Sequence, residues 1–264
     1  MKSILVLLSV ILLTSGVTYY VQRPASKVDK FLLDIPYHPD WEVAAPLLSN
    51  EVFSQPFSYL KGGSQCYTYI SQDQQFVIKF FKKNHLLPKS WLNYLPFSFL
   101  DNYRYQKIDK HIERQRETFS SYKIAYNELR EETGLLYVHL YKTDCIKKTI
   151  SLIEREGEEN LLDLDRATFI LQKKAELLAT KMAQCQTAEE IATIYESLLN
   201  LITKRCKKGL KDLDNDIGHN YGFIEDQVIQ IDVGKVIVDE SIKNSYHLEQ
   251  ELNRVRNQLD LLRY

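Results

Sequence analysis

The chain has 264 residues, with 34 Lys and Arg against 35 Asp and Glu for a formal charge of −1, and 44% of its residues are apolar. Near-neutral charge removes the general field that draws a protein onto nucleic acid, and this apolar content removes a disordered or low-complexity chain. The length suits one two-lobed domain or two small ones, and no internal repeat is present.

Residues 3–22 carry no charge, and 4–13 are almost wholly Leu, Ile and Val behind Lys2. About 20 uncharged residues can cross a bilayer, and a strong centre of about 10 also fits a signal peptide. Residues 1–22 therefore read as a signal anchor or a signal peptide, placing the protein at a membrane, or exporting it if the segment is cleaved. Arg23, Lys27 and Lys30 just beyond it favour a cytosolic domain, whereas the short leading tail favours the opposite side. Residues 23–50, with Pro24, Pro36, Pro39 and Pro46, read as a linker and docking segment.

Three runs rich in aromatic and β-branched residues at 57–60, 66–70 and 76–81 predict an antiparallel meander. The charged, breaker-free stretch 101–132 predicts one long helix or two in series, ended by Gly134. Strands expected at 135–141 and 148–155 make five, with a helix inserted before the fourth. Asp165 is placed to cap a helix running to about 184. Thr187 with Glu190 forms a capping box opening another, whose face carries Ile191, Ile194, Leu198 and Ile202. A polar loop, a hairpin over 221–224 and 228–233, and a last helix near 246–262 follow. The expected division is 51–160 for a sheet lobe and 161–264 for a helical lobe.

Cys66, Cys145, Cys185 and Cys206 form no C-x-x-C pair and have no histidine at metal-ligand spacing, which argues against zinc and for free thiols. The chemistry points elsewhere. Lys79 stands at the centre of Phe76-Val77-Ile78-Lys79-Phe80-Phe81, and a lysine in a strand apolar on both faces has to find an anion or lose its charge. Upstream, Gly62 and Gly63 followed by Ser64 let backbone N–H groups approach phosphate closely. Downstream come Asp214-Asn215-Asp216-Ile217-Gly218-His219-Asn220 and then Ile231-Asp232-Val233-Gly234.

A glycine loop, strand lysine, helix glutamate, Asp-rich loop ending in Asn, hairpin and Asp-x-Gly, in that order over roughly 55–240, resemble the protein-kinase-like superfamily, with its atypical and small-molecule kinases and its pseudokinases. The resemblance implies an α+β, two-lobed fold with a five-stranded antiparallel N-lobe sheet and a reduced, mainly helical C-lobe, and the uncharged run at 3–22 adds an N-terminal hydrophobic helix before it. It also implies ATP and Mg2+ as cofactors, and an acceptor, protein or small molecule, that the sequence does not identify. Lys79 would hold the α- and β-phosphates, oriented by Glu128 or, in reserve, Glu117. Gly62, Gly63 and Ser64 would cradle phosphate, Asn220 and Asp232 would ligate magnesium, and Asp214 would act as catalytic base.

The chain also departs from the family. The family's base lies five residues before the Asn, where Asn215 stands, with Asp214 at six; Lys211, Asp212 and Leu213 replace the usual His-Arg. The glycine loop lacks G-x-G-x-x-G. Only 30 residues follow Gly234, so the peptide-substrate platform of a typical protein kinase is not expected. The pattern admits an active phosphotransferase, a pseudokinase that binds nucleotide without turnover, and a membrane-tethered interaction protein.

Overall fold

The computed structural model describes residues 27–33, 35–44, 50–88, 101–214 and 216–261. Strands β1 (Phe57–Gly62), β2 (Cys66–Ser71) and β3 (Phe76–Phe81) form the expected antiparallel meander. A single turn, α1 (Lys83–Leu86), follows, and then the long helix α2 (Asp101–Glu128), the short α3 (Arg130–Thr133) and strand β4 (Leu135–His139). Gly134 caps α3 in the left-handed region at φ 63°, a conformation that glycine adopts without steric cost.

The sheet has seven strands where five were expected. Strands β5 (Thr149–Ile153), β6 (Glu159–Asp163) and β7 (Phe169–Lys173) complete the order β4-β7-β3-β2-β1-β5-β6. Strand β7 falls where a helix capped by Asp165 was expected, and it lies between β3 and β4, past the division placed near 160. Its residues alternate as a buried strand requires: Phe169 and Leu171 enter one apolar cluster and Ile170 the other. Asp165 instead accepts hydrogen bonds from Thr143 Oγ1 (2.5 Å), Ile146 N (3.0 Å) and Lys147 N (2.6 Å), stitching the connection into β5. The β5–β6 hairpin joins the sheet through a parallel pairing of β5 with β1.

Each face of the sheet is covered. On one, Phe81, Val138 and Ile170 pack against Phe119, Tyr122 and Tyr126 of α2. Only the second half of α2 buries a stripe, through Thr118, Phe119, Ser121, Tyr122, Ala125 and Tyr126 at the spacing of a helix face. On the other face, Phe31 from the turn Lys27–Phe31 inserts among Tyr67, Tyr69 and Phe80 with ring centroids 4.7–5.8 Å apart.

Beyond β7 the chain runs through β8 (Glu176–Leu177), α4 (Leu178–Gln184), α5 (Ala188–Lys207), β9 (Leu210–Asp212), α6 (Ile217–Asn220), β10 (Tyr221–Ile224), β11 (Gln227–Gln230), β12 (Val236–Val238) and α7 (Ser245–Leu261). The Thr187–Glu190 capping box opens α5 as read from sequence. Ile194, Leu198 and Ile202 of α5 meet Leu252, Val255 and Leu259 of α7 in a separate core. Gly222 lets β10 run against β8, because a Cβ there would meet the Glu176 carbonyl oxygen at 2.5 Å.

Among the described residues no helix is long and apolar enough to cross a membrane. The transmembrane signal anchor, the N-terminal hydrophobic helix and the membrane location expected from it are corrected on that finding; residues 1–22, on which that expectation was placed, lie outside the described residues.

Candidate functional site

A cleft of about 630 Å³ lies between the seven-stranded sheet and the helical part, within the size range of small-molecule and cofactor sites. Its sheet side carries the β1–β2 turn and β3, and its far side carries α6 and residues 231–232.

Lys79 lies on the cleft face of β3, half-buried, and its Nζ donates to the carbonyl oxygen of Ile231 at 2.5 Å. Loss of hydration pulls its ammonium below the usual lysine range, and the neighbouring Asp232 carboxylate opposes that shift. Asp232 lines the same cleft. Its Oδ1 accepts from Gly234 N at 3.1 Å, and its carbonyl oxygen accepts from Gln230 Nε2 at 3.0 Å. Asn220, at the end of α6, is brought alongside through its backbone: its carbonyl oxygen accepts from Ile231 N (2.8 Å) and Asp232 N (3.3 Å). The strand lysine, the loop asparagine and the Asp-x-Gly aspartate therefore share one wall-to-wall space.

Asp214 is not among the residues that line the cleft. Its Oδ2 receives the Lys235 ammonium at 2.9 Å, and its Oδ1 accepts from Asp216 N at 3.2 Å. Partial burial pushes this carboxyl up, but the bonds from Lys235 and Asp216, with Asn220 close by, outweigh burial and hold it below the usual carboxylate range. Asn220 Nδ2 is buried and makes no well-formed hydrogen bond among the described residues. Asn215, at the family's base position, lies outside the described residues.

The glycine turn is divided in its roles. Gly63 and Ser64 line the cleft, whereas Gly62 ends β1 just outside it, with the Tyr59 hydroxyl 3.0 Å from where a Cβ would stand. Gly63 N donates to Cys66 O at 2.9 Å, and Lys82 Nζ donates to the Gly63 carbonyl. Gln65 from the same turn reaches across to Gly234, where a Cβ would meet its Oε1 at 2.6 Å.

Glu128 is not brought to the site. It is exposed at the last residue of α2, and its backbone carbonyl accepts from Lys208. The α2 residue that lines the cleft is Tyr122, six positions earlier and so about 9 Å along the helix axis. Glu117, the reserve, is also exposed. The cysteines are all unpaired; Cys66 and Cys206 are buried and Cys145 exposed. Burial, with Asp232 nearby, pushes the Cys66 thiol up to about 12.

Sequence reasoning passed over the polar network that supports the far side. Arg205 of α5 is fully buried, donating to Tyr221 Oη (2.7 Å), Gln230 Oε1 (2.9 Å) and Glu251 Oε1 (3.1 Å), with Asp212 Oδ2 at 3.7 Å. Burial pushes the Asp212 carboxyl up to about 6 against the pull of Arg205. Gln230 Nε2 also reaches Asp212 Oδ2 at 2.8 Å, and Asp212 Oδ1 accepts from Asp214 N at 2.9 Å. The network thus touches the backbone of both Asp214 and Asp232. The one sequence signal was Arg205 itself, a cation on the apolar face of α5.

No family model matches this sequence, and no curated protein matches it. Among solved structures, the chain is similar to Rv3197 from Mycobacterium tuberculosis in complex with erythromycin, at 16% identity and a TM-score of 0.42, covering 85% of this chain and 55% of that one. It is similar to WbdD with the kinase inhibitor LY294002 at 14% identity and a TM-score of 0.37, over 73% and 35% of the two chains. It is also similar to the ROP18 kinase domain in complex with AMP-PNP and sucrose at 12% identity and a TM-score of 0.36, over 68% and 51%. The chain thus spans between about a third and just over half the length of these solved chains. At these scores the reading rests on the chain's own geometry.

Proposed function

We propose that this chain is a kinase-like protein that binds ATP with Mg2+ in the cleft and transfers phosphate to a protein or small-molecule acceptor. The observation that carries the reading is the meeting of Lys79 with the Ile231–Asp232 segment, 152 residues further along the chain. A half-buried ammonium with a single carbonyl partner and a nearby carboxylate has donors left for phosphate oxygens. Gly63 and Ser64 add a turn where backbone can approach the same phosphates.

The residues on the far side fit magnesium. Asp232 offers a carboxylate and Asn220 an amide oxygen, both on residues that line the cleft, and carboxylate and amide oxygens are the hard ligands this ion takes. Asp232 and Asn220 would hold the ion there, and magnesium would supply positive charge against the charge that develops during transfer. Asp214, its carboxyl held below the usual range, would orient an acceptor hydroxyl and take its proton as the hydroxyl oxygen bonds to the γ-phosphorus and the bond to the ADP oxygen breaks. Lys235 keeps that carboxylate pointed and neutralised until the acceptor arrives.

The second reading is a pseudokinase that holds nucleotide without turnover. It is favoured by two observations: α2 lends no carboxylate to Lys79, and Asp214 is already occupied by Lys235. Conversion of ATP to ADP by the full chain with magnesium, with water or the chain's own hydroxyls as stand-in acceptors, discriminates between them. Transfer predicts ADP formation that falls at least tenfold in Asp214→Asn, given the usual contribution of a positioned base; ATP binding with no ADP formed above background favours the pseudokinase.

A further inference from the structure

Segment 232–236 is held from two sides. From the helical part, Gln230 donates to the Asp232 carbonyl, and the Asn220 carbonyl takes the N–H groups of Ile231 and Asp232. From the other side, Val233 and Val236 pack in the apolar cluster that holds Phe119 and Tyr122 of α2, and the hydrogen bonds come from one hydroxyl. Ser121 of α2, 1% exposed, accepts from Val236 N at 2.6 Å and donates to the carbonyl oxygen of Val233. A serine hydroxyl has one donor and room to accept, and here both capacities close on backbone groups three residues apart. The backbone contact that would otherwise join them, Val236 N to Val233 O, is long at 3.4 Å. The next α2 residue, Tyr122, lines the cleft beside Lys79 and Asp232.

We propose that Ser121 is a positioning residue: by pinning residues 233–236 to α2, it sets the direction in which Asp232 presents its carboxylate to the cleft. The inference rests on the nucleotide reading of the site and deepens it. α2 brings no acid to Lys79; its link to the phosphate-binding chemistry runs through the opposite wall, by way of Ser121. The upstream anchors fix where Asp232 enters the cleft, and the bond from Leu213 N to the Lys235 carbonyl at 3.1 Å with the pairing of Val236 and Asp212 fixes where the segment leaves it. Between these anchors the turn through Gly234 keeps the most freedom, since glycine restricts it least, and the Ser121 hydroxyl restricts that freedom by bonding both ends of 233–236. Any displacement of α2 relative to the helical part is thereby passed to Asp232.

The alternative is a buried serine that satisfies a loop and does nothing for ligand binding. Ser121→Ala removes a single oxygen, so the full-length variant is compared with the full-length wild type in three measurements. Amide hydrogen exchange without ligand should rise about tenfold or more at 234–236 and stay unchanged in the sheet, as expected for a segment that has lost one buried hydrogen bond. The Mg2+ concentration giving half-maximal thermal shift at fixed ATP should rise by about tenfold, while binding of ATP in excess EDTA stays within about twofold. A variant that melts at a lower temperature but keeps the wild-type Mg2+ midpoint has lost only packing, and the proposal is overturned. If wild type itself gives no Mg2+- and ATP-dependent shift, the nucleotide reading has failed; the exchange data then decide the positioning role alone, and unchanged exchange at 234–236 overturns it.

Discussion

Lys79 is held by one short bond to a backbone carbonyl and by proximity to one carboxylate. Replacing it with methionine removes both the half-desolvated charge and the hydrogen bond to Ile231, two effects of opposite sign and similar size. Lys79→Met is therefore expected to unfold in urea within about 1 kcal/mol of wild type while losing the ATP-dependent thermal shift entirely. Denaturant midpoints with and without ATP measure both. The lysine was legible from sequence because a charge in a strand buried on both faces is conspicuous. Ser121 was not: a serine in a long charged helix has no such signature, and its partners are backbone atoms more than a hundred residues away. Glu128 misled for the complementary reason, since order along the chain gives a helix carboxylate no depth along the helix.

At the level of elements, the meander, the long helix and the Thr187 capping box followed from local pattern. The missed strand β7 shows where pattern stops. Phe169–Lys173 is short and mostly apolar, and a run of that kind does not separate strand from buried helix by periodicity; pairing with β3 and β4 decides it. Asp165 looked like a helix cap because the same side chain that caps helices also caps loops. Its carboxylate receives three hydrogen bonds from the 143–147 connection. Asp165→Ala leaves two backbone N–H groups without their partner and should cost about 2–4 kcal/mol by chemical denaturation. Burial pushes the Asp165 carboxyl up, but those bonds hold it below its ordinary value. Its stabilising contribution is thus present above the ordinary value near 3.8 and lost as pH falls through the lower folded value. Asp165→Asn should flatten the acid limb of a plot of stability against pH.

On the scale of the whole molecule, the seven-stranded sheet and the helical part each have an apolar core, and the cleft lies where they meet. The sheet places Lys79 and the glycine turn in it; the helical part places Asn220 and Asp232 there. Arg205 and its partners tie the elements of the second wall together. Removing one member of a buried charge cluster leaves the rest uncompensated, so Arg205→Met should destabilise by about 3–5 kcal/mol, with Asp212 as the chief orphan because Glu251 keeps Arg254 at 2.6 Å. Urea unfolding of that variant, alone and combined with Asp212→Asn, should show partial recovery in the double variant.

The central claim is that two distant stretches of chain build one Mg2+- and ATP-binding cleft. Isothermal titration of ATP into the full chain, with and without Mg2+, beside Asp232→Asn tests it most directly. The account predicts saturable binding that Mg2+ strengthens in wild type, and an Asp232→Asn variant that still binds but no longer responds to Mg2+. Absence of ATP binding by the folded wild-type chain, or an undiminished Mg2+ response in the variant, would contradict it.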